Sequence, residues 1–372
     1  MIKILHCADL HLDSPLSTLD FEKAELRHSD MRAAFTSLTL SAKMNKADFL
    51  LISGDFFDGA FASRDTLSLI CREFAAIPDC KIIIAPGNHD PYTPSSYYRR
   101  VDFPDNVYIF DSPELSCFDF PEKNTTVYGW AFTSEHMESC PLEGFSVENP
   151  NRINLLCAHG DLDSGDSKYC PIPSVLLADC GFDYAALGHV HAHSGVKQIG
   201  GCHIAYSGCL EGRGFDECGE KGAVLAVADK DVMLQFAAKF VRFCKRIYIS
   251  ETLDISGARS NADVADRLEA FIAERHFGED TALRIRLTGD VSGDFKLSAS
   301  FLSEQFSRLF MLEVIDATMP LLDCEKLRFD PTLRGEFYRS LEPMLLCDDA
   351  ETRDTAAMAL RCGLAALLGE EI

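Results

Sequence analysis

Seven side chains in this sequence have the types and spacing of metal ligands, and an eighth stands beside one of them. Asp9 and His11 are one residue apart, and Asp55 follows Gly54. Asn88 and His89 occur in Gly87-Asn88-His89-Asp90, His159 precedes Gly160, and His189 and His191 are again one residue apart. Carboxylate, amide oxygen and imidazole make a mixed oxygen and nitrogen donor set. Asp9 and His11 fall at a predicted strand end, where side chains alternate with period two, so both are expected on one side; the same holds for His189 and His191. Gly54 permits a sharp turn that aims Asp55 inward, and a carboxylate can bridge two cations. Sorted this way, Asp9, His11, Asp55 and His191 would hold one ion, and Asp55, Asn88, His159 and His189 a second. The donors suit Mn²⁺ and also admit Fe²⁺ or Zn²⁺. Such a pair of ions clamps a phosphate, activates a water and neutralises the attacking and leaving oxygens. The chemistry implied is phosphoester hydrolysis, with His89 as the candidate to protonate the leaving oxygen.

Each motif alone is weak. A D-x-H tripeptide arises by chance, and a lone histidine is more often packed or solvated. The signal lies in their order, each following an apolar run that reads as a buried strand: Ile2–Cys7, Phe49–Ile52, Lys81–Ala85, Ile153–Cys157 and Tyr184–Leu187. Open α/β sheets place their sites just beyond such strand ends. Asp13, Asp58, Asp90, Asp161, Asp163, His193 and His203 read as supporting, capping or solvent-facing groups. Glu22–Lys46 is expected to be largely helical, with Ala34, Leu38 and Ala42 on one face. Ala205–Ser207, Ala223–Ala228 and Val232–Ala237 read as strands closing a second sheet.

The pattern changes near Phe240, dividing the chain into residues 1–240, 241–320 and 321–372. The middle part predicts a small β-α-β-α-β unit: strand Arg246–Leu253, a helix capped by Ser260 or Asn261, strand Leu283–Leu287, helix Ser298–Phe310 and strand Leu312–Ile315. Arg284 and Arg286 share the exposed face of its second strand. A solvated face is the plainer reading, and contact with DNA phosphates the functional one. Two helices are expected at the end, about Thr332–Leu346 and Glu351–Leu368. Their stripes are Leu333, Phe337 and Leu341, and Leu360, Leu364, Leu367 and Leu368. They would either pack on each other or dock a partner through Leu360, Leu364 and Leu367.

Composition sets limits. The chain has 372 residues with 47% hydrophobic and 25% charged, ordinary for a globular protein of two domains. No signal segment or membrane span is visible, and the expected location is cytoplasmic. The 15 cysteines include no C-x-x-C pair, so they read as reduced, packed residues. The net charge of -23 argues against strong unaided nucleic-acid binding.

The motif order resembles the calcineurin-like metallophosphoesterases over about residues 1–240. Within them it is similar to the SbcD-type DNA repair exonucleases, and most to the YhaO branch. The resemblance is carried by Ala8-Asp9-Leu10-His11-Leu12-Asp13-Ser14-Pro15-Leu16, by Leu51-Ile52-Ser53-Gly54-Asp55-Phe56-Phe57-Asp58 and by Phe182-Asp183-Tyr184-Ala185-Ala186-Leu187-Gly188-His189-Val190-His191. Tyr206-Ser207-Gly208-Cys209 and Phe215-Asp216-Glu217-Cys218-Gly219-Glu220-Lys221-Gly222 add to it. It departs at Ala185, where the branch often has an aromatic, and Ala158-His159-Gly160-Asp161 is its least diagnostic stretch. The resemblance implies a two-sheet sandwich flanked by helices, and a small cap domain with terminal helices. It further implies Mn²⁺-dependent DNA cleavage as an exonuclease, with endonuclease action as a further option. Its implied assembly is a homodimer paired with an SMC-like ABC ATPase. Two other readings stay open: a phosphodiesterase or phosphatase for a small phosphoester, and a non-catalytic metal-binding scaffold for an ATPase.

Overall fold

The computed structural model describes residues 1–368 apart from 60, 232, 293, 294 and 322. Contacts divide it into two compact units, Met1–Tyr248 and Ile249–Ile372. In the first, the chain runs β1 (Ile2–Cys7), α1 (Phe21–Asn45), β2 (Phe49–Ile52), α2 (Arg64–Ala75), β3 (Lys81–Ile84), α3 (Tyr97–Arg100) and β4 (Val107–Ile109). It continues through β5 (Ser116–Phe120), β6 (Thr125–Gly129), β7 (Ile153–His159), β8 (Asp161–Leu162), β9 (Pro171–Ile172), α4 (Ser174–Cys180) and β10 (Tyr184–Gly188). β11 (Lys197–Ile199), β12 (Cys202–Tyr206), β13 (Gly222–Asp229) and β14 (Gln235–Arg242) complete it.

Two six-stranded sheets result, ordered β14-β13-β1-β2-β3-β4 and β11-β12-β10-β7-β6-β5. Their central strands, such as β2, β7 and β10, are buried throughout and apolar on both faces because both faces are covered. Phe49 and Leu51 of β2 join Ile4, Leu155, Tyr184 and Ala186 between the sheets, while Leu50 and Ile52 pack with Phe35, Leu38 and Phe74 of the helices. Ala34, Leu38 and Ala42 are buried, as the helical reading of that stretch requires. The sandwich fold and its flanking helices agree with expectation. The assignment of the late strands does not. β12 joins the second sheet, but β13 pairs antiparallel with β1, and β14 with β13, so both extend the first sheet. Val224, Ala226 and Ala228 point into the layer between the sheets, and periodicity cannot say which sheet supplies such a strand. The expected start of the last strand, Val232, lies outside the described residues.

The second unit begins within β15 (Ile247–Asp254) and follows with α5 (Asn261–Glu274), β16 (Thr281–Val291), α6 (Ala299–Gln305), β17 (Met311–Pro320), α7 (Cys324–Phe329), α8 (Leu333–Leu345) and α9 (Ala350–Leu368). Ser260 caps α5, whose Val264, Leu268, Phe271 and Ile272 are buried against Leu283, Ile285 and Leu287 of β16. α6 is shorter than expected: the chain leaves helical geometry at Phe306, which turns into the core with Leu309. Arg284 lies opposite Glu313 across the β16–β17 pair and makes a two-pronged ion pair with it, both distances 3.0 Å. Arg286 is exposed. Leu360 and Leu364 are buried with Leu327 and Tyr338 in a cluster of the terminal helices, and Phe337 and Leu341 pack against it. The expected docking role of Leu360 and Leu364 is therefore corrected: helix pairing has already covered them. Leu333 and Leu367 are exposed, and the side chain of Leu368 and residues 369–372 lie outside the described set. Among the described residues, no helix is long and apolar enough to cross a membrane.

Candidate metal centre

All seven proposed ligands fall at the C-terminal ends of parallel strands. Asp9 and His11 follow β1, Asp55 follows β2, and Asn88 follows β3. His159 ends β7, while His189 and His191 follow β10, whose Gly188 is paired with His159. The loops after β1 and β2 are zipped together: Asp9 N–H donates to the Gly54 carbonyl (3.0 Å) and His11 N–H to that of Asp55 (2.9 Å). This corrects the strand-alternation argument. β1 ends at Cys7, and Asp9 (φ 53°) and His11 (φ 42°) are left-handed, as are Asp55 (φ 50°) and His189 (φ 112°). Such conformations cost about 1–3 kcal/mol each in a non-glycine residue and persist where surrounding bonds over-determine them. Gly54 has φ 89°, and a Cβ there would stand 2.2 Å from Nδ1 of His159.

These turns make the side chains converge. Asp9, His11 and His191 bring ligand atoms within 4.8 Å of one another, and so do Asp9, Asp55 and His159. Oδ2 of Asp55 is 3.6 Å from Nε2 of His11 and 3.5 Å from Nε2 of His159, so one carboxylate stands between two imidazoles. Asn88 Oδ1 lies 2.9 Å from that same His159 nitrogen. The last two histidines part: the His191 ring is 5.2 Å from that of His11, and the His189 ring 5.3 Å from that of His159. That separation suits service to two different ions.

The donor set fits divalent cations on a specific observation. His11 is fully buried, yet neither ring nitrogen has a hydrogen-bond partner. A buried orphan of this kind costs about 1–3 kcal/mol. Burial also pushes its pKa well below the ordinary range, leaving a neutral imidazole with a free lone pair. The carboxylates are compensated only in part: Asp9 accepts from His189 N–H (3.0 Å) and Asp55 from His89 N–H (2.9 Å). Burial pushes Asp9 up to about 8, opposed by His191 and reinforced by Asp55. Burial likewise raises Asp55. Neutral imidazoles beside partly compensated buried carboxylates are what a bound cation satisfies.

Outer groups set the tautomers. His159 Nδ1 donates to the Ser53 carbonyl (2.9 Å), which leaves Nε2 facing Asn88. His191 Nδ1 donates to Glu217 (2.7 Å), which frees Nε2. Arg213 holds Glu217 through Nε (3.1 Å) and Nη2 (2.8 Å). Sequence reasoning did not single out Arg213 or Glu217; only the matching stretch from Phe215 to Gly222 pointed at the latter. Asp58, read as a supporting group, accepts from His89 Nδ1 at 3.0 Å. That bond raises the His89 pKa, and the His89 ring is 4.9 Å from His11. Asp90 accepts from Gly87 N–H (2.7 Å) and Phe57 N–H (3.0 Å) and shapes the Asn88 loop. Asp13 binds Arg32, and Asp161 lies 4.0 Å from Nε2 of His189. Arg284 and Arg286 belong to the other unit and are not among these residues.

The calcineurin-like phosphoesterase family model matches residues 2–193, more than half of the chain. The chain belongs to that family. Its members hydrolyse phosphoesters with two divalent metals, and the clustered histidines and aspartates fit such a site. Among relatives, this phosphoesterase is 27% identical to the uncharacterized metallophosphoesterase YhaO of Bacillus subtilis, over 77% of this chain and 72% of that one. It is 25% identical to the DNA double-strand break repair protein Mre11 of Saccharolobus solfataricus, over 62% of each chain. It is also 25% identical to the SbcD component of the nuclease SbcCD of Staphylococcus epidermidis, over 58% of this chain and 63% of that one. The match thus spans under two thirds of the length of either of these last two relatives.

Proposed function

We propose that this phosphoesterase cleaves DNA phosphodiester bonds as an SbcD-type exonuclease, with endonuclease action as a second activity, in DNA repair. The observation that carries the hydrolytic part is the convergence on Asp55 of two imidazoles, with the orphaned nitrogens of His11 beside it. DNA as substrate rests on the names of two relatives, a DNA double-strand break repair protein and a nuclease subunit. Asp9, His11, Asp55 and His191 would hold one ion, and Asp55, Asn88, His159 and His189 the other, with Mn²⁺ the metal we favour. When bound, the ions supply charge neutralisation at the phosphate and an activated water. The chain's own part is positional. Glu217 fixes the His191 ring and Ser53 the His159 ring. Asp58 holds Nδ1 of His89, which keeps Nε2 available to the substrate. As the water oxygen bonds to phosphorus and the bond to the leaving oxygen breaks, His89 gives that oxygen a proton.

The same reading extends to a homodimer working with an SMC-like ABC ATPase in the cytoplasm. A second reading, hydrolysis of a small phosphoester, is favoured by the charge of -23 and by the pairing of Arg284 with Glu313. The deciding experiment is turnover with Mn²⁺ on single-stranded DNA, duplex DNA, bis-p-nitrophenyl phosphate and a cyclic nucleotide. Cleavage of DNA is expected. Turnover confined to the cyclic nucleotide would favour the second reading, and none on any substrate would leave only a scaffold.

A further inference from the structure

Beside the candidate ligands lies a cavity of about 580 Å³ whose wall includes Asn88 and His89. Most of its lining lies outside the proposed ligand set. Its lining includes Thr93, Ser95, Tyr97 and Tyr98 from one stretch of chain, and His136 and Tyr169 from others. Those two rings meet edge to face at 5.7 Å, and Tyr169 lies 5.1 Å from the ring of His189. An aromatic surface therefore runs outward from a proposed ligand. Hydroxyls of Thr93 and Ser95 and the carboxylate residue Glu135 supply polar groups around it. Arg100 adjoins the lining residues Ser95 and Tyr97. Its Nη1 donates to the Ser95 carbonyl (3.3 Å), and its guanidinium is 6.0 Å from the Tyr97 ring centre. Elsewhere in this unit Arg27, Arg32, Arg152 and Arg213 are paired with acids. Arg100 is exposed, with no ion pair to a described residue, in a chain of net charge -23.

We propose that this cavity binds the nucleoside of the leaving alcohol, its base against His136 and Tyr169, and that Arg100 receives the next phosphate of the strand. The inference rests on the phosphodiester reading above. His89 is shared by the centre and the cavity, so an alcohol that takes its proton from His89 departs on the cavity side. Small-molecule sites run roughly 300–1,000 Å³, and the cavity lies within that range. A base offers ring faces for the aromatic pair and a polar edge for the hydroxyls and Glu135.

The test titrates the Mn²⁺-loaded full chain with 2′-deoxyadenosine and, separately, 2′-deoxyribose, by calorimetry and ligand-observed NMR. Turnover of bis-p-nitrophenyl phosphate is followed in parallel. The nucleoside is expected to bind and the bare sugar not. His136→Ala should weaken nucleoside binding roughly five- to a hundredfold, the usual worth of a base-stacking ring. Metal content and circular dichroism should be unchanged. Arg100→Gln should leave deoxyadenosine binding as it was and weaken binding of deoxyadenosine 3′,5′-bisphosphate. Equal binding of sugar and nucleoside, or wild-type affinity in His136→Ala, overturns the cavity assignment. Equal loss of both ligands in Arg100→Gln overturns the role of Arg100. Nucleoside binding without turnover of the diester would support the cavity and sink the hydrolytic reading, so the two failures are distinguishable.

Discussion

Two groups of polar residues in this phosphoesterase stand in opposite environments. At the strand ends of the first unit, Asp9, His11, Asp55 and His159 are buried, three of them have left-handed backbone, and neither ring nitrogen of His11 has a hydrogen-bond partner among the described residues. On the sheet of the second unit, Arg284 is partly exposed and answered by Glu313, and Arg361 of α9 is answered by Asp290 at 2.7 Å. The first arrangement costs folding free energy and, among the described residues, leaves the His11 ring unsatisfied. The second is self-sufficient. Polar groups that the fold strains, buries and leaves incomplete point to a bound species; groups that answer each other outline a surface. Substitutions in the two places should therefore differ in kind and in size.

The largest effect is expected at Asp55. Asp55→Asn should reduce diester hydrolysis to background and lose tight binding of at least one ion, because an amide is a neutral, poorer bridge. Two ions retained at wild-type affinity, measured by metal analysis after dialysis, would remove Asp55 from the bridging position. Next comes His89→Ala. It should keep both ions and lose turnover by roughly two to four orders of magnitude, the range for a positioned proton donor. Near-normal turnover in the metal-replete variant would reduce His89 to a packing neighbour of Asn88.

The comparison also holds for ion pairs that have no catalytic part. Arg27 is fully buried, 3.0 Å from Asp30 and 2.8 Å from Glu211, and donates to the Gly212 carbonyl at 2.6 Å. Arg246 also reaches Asp30, at 3.0 Å. Arg27→Met removes the buried arginine from both carboxylates, leaving Asp30 with Arg246 and Glu211 with the backbone N–H groups of Lys245 and Arg246, and should cost up to about 3–5 kcal/mol in urea unfolding, the usual penalty for breaking a buried pair. Arg284→Gln removes a partly exposed pair and should cost at most about 1 kcal/mol. Equal losses in the two variants would show that burial is not what separates the two regions.

What could be read beforehand follows from the same physics. The candidate ligands were legible because each is a polar type placed soon after an apolar strand, and chain order alone suggested the series from Asp9 to His191. The backbone that positions them was not. Asp and His adopt left-handed φ more readily than most residues, but type alone does not assign it to Asp9 and His11, so alternation along a strand looked sufficient. Arg27 and Glu211 are far apart in sequence and look like surface residues until the fold brings them together. Asp58 was legible as a supporting group, but its bond to His89 depends on two loops meeting. β13 and β14 were visible as strands, while their sheet was not, since an inward alanine or valine fits either layer. Leu360 and Leu364 formed a visible stripe whose occupant, the neighbouring helices, only the packing reveals.

The smallest effect concerns the open face of β16, and it tests whether a surface of answered charges still binds DNA. Two free arginines on phosphates would together contribute up to about two units to the slope of log affinity against log salt, near 0.9 for each phosphate neutralised on duplex DNA. Arg284 is not free: both prongs of its guanidinium are on Glu313. To reach a phosphate it must give up that carboxylate, so its net gain is small. Arg286 is exposed and pairs in register with Ile315, which offers no charge to answer it. Arg286→Gln should therefore flatten the slope by about one unit, and Arg284→Gln by much less. Glu313→Gln should do the reverse, releasing Arg284 and steepening the slope toward the two-arginine value. Fluorescence anisotropy of a labelled duplex across a salt series separates these outcomes. Unchanged slopes in all three variants would mean that this face is simply solvated and that any DNA contact lies elsewhere. A loss at Arg284 as large as that at Arg286 would mean that phosphate displaces Glu313, and that the pairing there is weaker than its geometry suggests.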